Sequence, residues 1–202
     1  MSGRAVRETL GFLAVAAALM GLTGSAAAGQ TGWSSGVSVA GNLVVGGGGS
    51  DFLDSGFGLD GTVARAMGSH FAIRADGILI RLAPSSTGAS PGRNTIIALG
   101  VGPEANLSLS AFSLYARLLL GVATNVQGGT GSTGGEGGTW TSMLGGGVGV
   151  RIAVSRSVAV DFGGDILKLG ELAFGGSAVS SLRFTSDPAV LRLRLGLRFG
   201  VG

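Results

Sequence analysis

The sequence predicts an all-β protein, an eight-stranded antiparallel up-and-down transmembrane β-barrel. Three observations support this prediction: segments in which apolar and polar residues alternate, connections that alternate between short and long, and a low content of charged residues. Charged residues make up 12% of the 202 residues and hydrophobic residues 45%, whereas soluble domains carry about 25% charged residues. A surface that faces lipid needs few charges, so the composition favours a membrane protein.

Eight segments show the period-2 alternation of strands that separate two environments. A tilted strand needs about 9–11 residues to cross a bilayer, and every one of these segments is long enough. The predicted strands cover residues 34–45, 57–67, 70–82, 94–107, 112–123, 139–153, 158–168 and 188–199.

The connections between these strands alternate in length. The short turns are 66–69, 108–111 and 154–157, and the long loops are 46–56, 83–93, 124–138 and 169–187. Short turns on one side and long loops on the other are typical of outer-membrane barrels, in which the turns face the periplasm and the loops face the medium. Both ends of the barrel then lie on the periplasmic side.

The last strand indicates which face is lined by lipid. Leucines occupy every second position from Leu191 to Leu197, and the alternate positions of the same strand include Arg192, Arg194 and Arg198. A soluble barrel would turn the apolar face inward, whereas a membrane barrel turns it outward. The only lysine is Lys168. A water-facing sheet would use lysine freely, so the membrane barrel is favoured.

The polar faces of the predicted strands carry six arginines and five carboxylates. Such a near balance suits an enclosed network, because an unpaired buried charge costs several kcal/mol. We therefore predict a structural lumen charge network that consists of Asp60, Arg74, Asp76, Glu104, Arg117, Arg151, Asp161, Asp165, Arg192, Arg194 and Arg198.

The third predicted strand does not alternate cleanly between apolar and polar residues. Residues 77–80 read Gly-Ile-Leu-Ile and are apolar on both faces, which indicates either a β-bulge at Gly77 or a locally apolar lumen.

Six aromatic residues lie near predicted strand ends, where the aromatic girdles of membrane proteins meet the membrane interface. They are Trp33, Phe57, Phe71, Phe112, Trp140 and Phe199.

The N-terminus has the pattern of a secretory leader. Arg4 and Arg7 precede an apolar run from Leu10 to Leu22, and small residues follow up to Ala28. This order of basic, apolar and small residues is typical of a signal peptide. The predicted organisation is a cleaved signal peptide at 1–28 and a barrel domain at 29–202. No later segment is apolar enough for a transmembrane helix.

Residues that could carry catalysis or bind a cofactor are scarce. The chain has no cysteine and one histidine, His70, which follows Ser69 in a predicted turn. Asp161 and Asp165 share a face, but Arg192 and Arg194 on the next strand favour ion pairs over acid–base chemistry. We therefore expect no enzyme activity, no metal and no cofactor. No basic cluster is present, so we expect no nucleic-acid partner.

The mature chain resembles the OmpA/OmpX-like family of small outer-membrane β-barrels, which belongs to a porin-like superfamily. The resemblance rests on the leader, the eight amphipathic strands, the loop lengths and the closing strand 189–199. It implies a monomer in the outer membrane of a Gram-negative bacterium, in contact with lipid and lipopolysaccharide. It also implies that the barrel-assembly machinery recognises the last strand. Here Phe199 is followed by Gly200, Val201 and Gly202, so that signal is displaced from the terminus.

Three functions are open at this point. The first is a non-enzymatic cell-envelope protein with a structural or surface-interaction role. The second is a narrow pore for ions or small solutes, because glycines at inward positions would leave a thin path for water: Gly145, Gly147, Gly149 and Gly163. The third is a lipid-modifying enzyme, which the missing catalytic constellation disfavours.

Overall fold

A computed structural model describes residues 32–46, 53–84, 94–109, 112–127, 140–170, 172–175 and 183–200. Ten strands lie in these ranges. They are β1 (Trp33–Gly46), β2 (Leu53–Ala66), β3 (Phe71–Pro84), β4 (Asn94–Ser108), β5 (Phe112–Gln127), β6 (Thr141–Ala153), β7 (Val158–Leu169), β8 (Leu172–Gly175), β9 (Arg183–Ser186) and β10 (Ala189–Phe199).

Eight of these strands close into one antiparallel barrel. Each barrel strand pairs with the barrel strands before and after it in the chain, and β10 pairs with β1 to close the ring. Closure leaves no edge strand within the barrel. The predicted fold class, an eight-stranded up-and-down β-barrel, is confirmed.

The barrel has two distinct ends. Two tight turns lie at one end, where the amide of Met67 donates to the carbonyl of Phe71 at 2.8 Å and the amide of Val154 donates to the carbonyl of Val158 at 2.9 Å. At the same end the amide of Leu109, after β4, donates to the carbonyl of Phe112, the first residue of β5, at 2.8 Å. We call this the turn end. Residues 32 and 200, the first and the last that the structure describes, also lie there. The opposite end, from which the longer connections leave, is the loop end.

Two features at the loop end differ from the sequence prediction. The segment 169–187 was expected to be a loop, but it contains the two-stranded hairpin β8–β9. In addition β2 begins at Leu53 and β5 ends at Gln127, each four residues beyond its predicted boundary. Period-2 patterning marks only the strand portions that separate two environments, whereas backbone pairing continues past them. The proposed leader, 1–28, lies outside the described residues.

Inward and outward side chains alternate along β3 without interruption. The pairings of β3 with β2 and β4 show no register shift at Gly77, and Ile78, Ile80 and Leu82 are buried in line with Arg74 and Asp76. The bulge at Gly77 is therefore excluded, and the locally apolar lumen is the correct alternative.

The outer surface of the barrel is an apolar band. On β10 alone, Leu193, Leu195 and Leu197 are exposed, while Arg192, Arg194 and Arg198 are buried inside. The six aromatics singled out in the sequence are all exposed, with Trp33, Phe71, Phe112 and Phe199 at the turn end and Phe57 and Trp140 towards the loop end. Within the described ranges no helix is long and apolar enough to cross a membrane.

Candidate functional site in the barrel interior

The interior is divided into two halves of opposite character. On each strand that contributes to both parts, the lumen charge network lies nearer the turn end than the apolar residues do, and all eleven residues of the network are buried. The half nearer the loop end is filled by an apolar cluster. Its members are Ile78, Ile80, Leu82, Ile96, Ala98, Leu119, Ala123, Met143, Leu167, Leu169 and Val190.

Glu104, on β4, is one centre of the charge network. Arg74 and Arg151 donate to its Oε2 at 3.0 and 2.7 Å, and Arg198 lies 3.3 Å from the same oxygen. These three arginines come from β3, β6 and β10, so one carboxylate ties together three strands that are not all neighbours in the barrel wall. Glu104 is completely buried, and a carboxylate is stable there only because it is fully paired.

Asp165, on β7, is the second centre. Arg117 donates to its Oδ1 at 2.9 Å, Arg194 donates to the same atom at 2.5 Å, and Arg192 lies 3.3 Å from Oδ2. The two centres are connected through Asp76, which bonds Arg74 and Arg117, each at 2.9 Å.

The remaining two carboxylates anchor the periphery of the network. Asp60 pairs with Arg192 and accepts a hydrogen bond from the Ser38 hydroxyl at 3.1 Å. Asp161 accepts from Arg151 at 3.0 Å and from the Tyr115 hydroxyl at 2.7 Å. The structure thus brings all eleven predicted charged residues into one connected network that spans seven of the eight barrel strands.

Glycines that face the interior provide room for large side chains. A Cβ atom at Gly149 would collide with the Tyr115 ring, one at Gly163 with the Tyr115 hydroxyl, and one at Gly145 with Leu167 at 2.5 Å. At Gly147 the Cβ would meet the side chain of Asp165 at 2.5 Å. At these four glycines, where the sequence suggested a thin path for water, side chains from neighbouring strands occupy the space.

The apolar cluster was not foreseen beyond the ambiguity in β3. Its signal was present in the register, since Ile80, Leu119 and Leu167 continue the inward-facing series of Asp76, Arg117 and Asp165 towards the loop end. Alternation alone does not reveal this cluster, because an apolar residue gives the same pattern whether it faces lipid or a packed interior.

The residues considered for catalysis are not arranged for it. His70 is exposed at the turn end, with Nδ1 3.3 Å from the carbonyl of Asn106. It is one of the residues that line a largely apolar groove of about 620 Å³, together with Leu114, Val148 and Phe162. The lining of this groove contains neither a serine nor a carboxylate. Among the residues that the structure describes, no group of three or more acidic or histidine side chains could hold a metal ion.

No protein-family model matches the sequence, and no curated protein matches it either. Solved structures of small outer-membrane barrels do share its fold.

Three of these structures illustrate the likeness. Neisserial surface protein A is 16% identical, with a TM-score of 0.56 over 84% of this chain and 97% of that one. The outer membrane protein OprG from Pseudomonas aeruginosa is 13% identical, with a TM-score of 0.58 over 84% and 96%. The outer membrane protein AlkL, solved in lipid bilayers, is 14% identical, with a TM-score of 0.52 over 84% and 90%. The chain therefore has the fold of the OmpA/OmpX-like eight-stranded barrels.

Proposed function

We propose that this protein is an integral outer-membrane barrel with a closed interior, which serves a structural or surface-interaction role rather than catalysis or transport. The observation that carries the proposal is a distribution of residues opposite to that of a soluble protein. The eleven charged residues of the lumen charge network are enclosed and paired, while leucine, valine and phenylalanine cover the outside. An apolar surface of this extent requires lipid around it, because soluble monomers rarely expose apolar patches above a few hundred Å².

The same arrangement supports an orientation in the membrane. The turn end would face the periplasm and the longer connections would face the medium, as in bacterial outer-membrane barrels. Export by the proposed leader would deliver the chain to the periplasm, and insertion would be completed when β10 pairs with β1. Any partner in the medium would then meet the segments at the loop end.

A narrow pore is the second candidate, and the interior argues against it. The ion-pair network and the apolar cluster follow each other along the barrel axis, so a solute would have to displace both. In planar bilayers we expect no stepwise conductance from the wild-type protein. Reproducible unitary steps would favour the pore.

The absence of enzymatic activity is likewise part of the proposal. His70 lies at the turn end in the lining of a largely apolar groove, and its Nδ1 contacts the backbone carbonyl of Asn106 rather than a serine or a carboxylate. We expect no release of fatty acid when the refolded protein is incubated with lipopolysaccharide. Release that is lost in a His70→Ala variant would overturn this part of the proposal.

The location and fold are tested by fractionation and gel migration. The expected result is a protein that sediments with the outer membrane and migrates faster on a gel before boiling than after it. A soluble periplasmic protein without such a shift would contradict the proposal, because its apolar face would have to be covered in some other way.

A further inference from the structure

The groove that contains His70 crosses five neighbouring strands of the barrel, from β3 to β7. Its volume of about 620 Å³ falls within the range of about 300–1,000 Å³ that is typical of small-molecule sites. The largest apolar side chains of its lining are exposed, so the groove opens outwards and not into the lumen charge network. These side chains are Phe71, Leu107, Leu114, Val148 and Phe162.

The register of the strands explains the shape of the groove. Five lining residues form one row across the wall, in which each residue is paired with the next. The row consists of Phe71, Ala105, Ala116, Val148 and Gly164. Three of these five residues have at most a methyl group as side chain. The adjacent row, nearer the turn end, carries the larger residues Leu107, Leu114, Val150 and Phe162. The groove therefore lies where a row of mostly small residues runs beside a row of large ones.

The row climbs along the wall away from the turn end. Phe71 is the first residue of β3, whereas Gly164 is the seventh residue of β7 and pairs with Leu193 near the middle of β10. Four spacings of about 4.8 Å between strands give a length of about 19 Å. With strands tilted by about 35–45°, the row rises by about 12 Å, close to half of the hydrocarbon thickness of about 30 Å. The groove thus leads from one border of the apolar band towards its middle.

The polar residues with access to the groove lie at its lower end. The amide of Asn106 donates to the carbonyl of His70 at 2.7 Å, and Nδ1 of His70 lies 3.3 Å from the carbonyl of Asn106. The other ring nitrogen, Nε2, accepts a hydrogen bond when the ring is neutral and donates one when it is protonated. Tyr115 also belongs to the lining, but its hydroxyl is bonded to Asp161 in the interior. The groove is therefore polar at the turn end and apolar beyond it, as a lipid molecule is.

The exposed charges of the turn end favour an anionic head group. Arg65 and Arg156 are both exposed there. Asp187 is the one carboxylate outside the lumen charge network whose side chain the structure describes, and it lies at the loop end. Basic side chains at a membrane surface attract anionic lipids, so phosphate is favoured at this border.

We propose that the groove binds one acyl chain of a phospholipid from the periplasmic leaflet, with the head group beside His70. This inference rests on the proposed location and orientation of the barrel in the outer membrane. A lipid of that leaflet has its head group at the turn end and its chain directed to the bilayer midplane, which is the direction in which the groove climbs. The chain lies over Ala105 and Ala116 and packs against Leu114 and Phe162.

The number of lipids that stay bound tests the proposal. The mature barrel is refolded into vesicles of phosphatidylethanolamine and phosphatidylglycerol, extracted with a mild detergent and weighed intact by native mass spectrometry. The wild type should retain one phospholipid per barrel, and Ala116→Phe, which fills the groove, should lose it. Ala75→Phe is the matched control, because Ala75 is exposed on β3 but is not part of the lining, and this variant should keep the lipid. Ala105→Phe fills the same row and replaces Ala116→Phe if the latter does not fold.

Equal retention by Ala116→Phe and Ala75→Phe would show that the lipid is held elsewhere on the wall, and would overturn the proposal. A wild type that retains no phospholipid would also overturn it. So would a dimer that Ala116→Phe dissociates into monomers without lipid, because the groove would then bind a second copy of the chain. A failure of the lipid count in a barrel that inserts and migrates faster unboiled leaves the proposed function intact, whereas a protein that does not insert contradicts the proposed function itself.

The position of the head group is tested with diacylglycerol, which has the acyl chains of a phospholipid but no phosphate. In the same experiment the wild type should retain less diacylglycerol than phosphatidylglycerol, and His70→Ala should retain less phosphatidylglycerol than the wild type. Equal retention of the two lipids by the wild type, together with unchanged retention by His70→Ala, would contradict the placement of the head group beside His70.

Discussion

Neighbouring residues on β10 meet opposite environments, which is the property on which the whole barrel depends. Leu193 is 60% exposed on the outer wall, whereas Arg192 beside it is completely buried in the network. In a soluble protein the leucine side chain would favour the buried position and the arginine side chain the exposed one. The two positions therefore report directly on which face of the strand meets lipid.

The first residue-scale prediction concerns Leu193→Arg. Leu193 lies near the middle of β10, so the new charge would sit near the bilayer midplane. We expect a loss of about 2–4 kcal/mol in the free energy of unfolding, measured by urea titration in lipid vesicles. Ser69→Arg, in the exposed turn between β2 and β3, is the control and should be close to neutral. Equal stability of the two variants would show that residue 193 does not face lipid.

The second residue-scale prediction concerns the pair Arg192 and Asp60. In Arg192→Leu, Asp60 loses its arginine and keeps only the Ser38 hydroxyl among the recorded side-chain partners, so we expect a loss of about 3–5 kcal/mol. Asp165 is less affected because Arg117 and Arg194 still contact it.

The control for that prediction is the double variant Arg192→Leu/Asp60→Leu, which removes both charges. Its loss in the free energy of unfolding should be smaller than the sum of the two single losses, because no uncompensated charge remains. Strict additivity in this cycle would mean that the two side chains are not coupled in the folded barrel.

At the scale of single strands, the sequence predicted the positions of the strands in the chain better than it predicted what surrounds each face of a strand. The eight barrel strands, their order and the inward or outward side of the charged residues followed from period-2 alternation, because charge and leucine cannot exchange faces. The apolar cluster around Ile80 and Leu167 did not follow, since alternation carries no signal where both faces are apolar. The hairpin β8–β9 was also missed, because strands beyond the barrel wall need not alternate.

Strand β6 provides the element-scale prediction, because it carries glycines on both faces. At Gly149, which faces inward, a Cβ would collide with Tyr115 and lie 2.5 Å from the backbone oxygen of Phe162. At Gly146, which faces outward, the nearest atom would be a methyl group of Leu118 at 3.5 Å, an ordinary contact.

We therefore expect Gly149→Ala to lower the free energy of unfolding by about 1–3 kcal/mol, as overpacking typically does, and Gly146→Ala to change it little. Both are measured by the same urea titration. Similar losses at the two positions would indicate that these glycines matter for the backbone of β6 rather than for the space that Tyr115 occupies.

For the whole molecule, the sequence does not predict which charged residues form ion pairs with each other. The eleven charged residues could be assigned to the interior, but their pairing could not be assigned. Glu104 joins arginines from three strands, and such a set depends on strand tilt and on the side-chain rotamers around the closed ring. The excess of one arginine, by contrast, could be counted in the sequence.

The last prediction follows from the two interior halves acting in series. Leu119→Ala/Leu167→Ala removes bulk from the apolar cluster, and Tyr115→Ala/Arg194→Ala removes two bonded side chains from the network, where Arg194 donates to the Tyr115 hydroxyl at 3.0 Å. In the proposed closed interior either half alone is enough to block the barrel, so each double variant should remain non-conducting in planar bilayers, whereas the combined quadruple variant should show unitary conductance. Faster migration of each unboiled variant on a gel serves as the control for a closed barrel. Conductance in Leu119→Ala/Leu167→Ala alone would mean that the charge network does not seal the turn end, and that the apolar cluster is the only barrier.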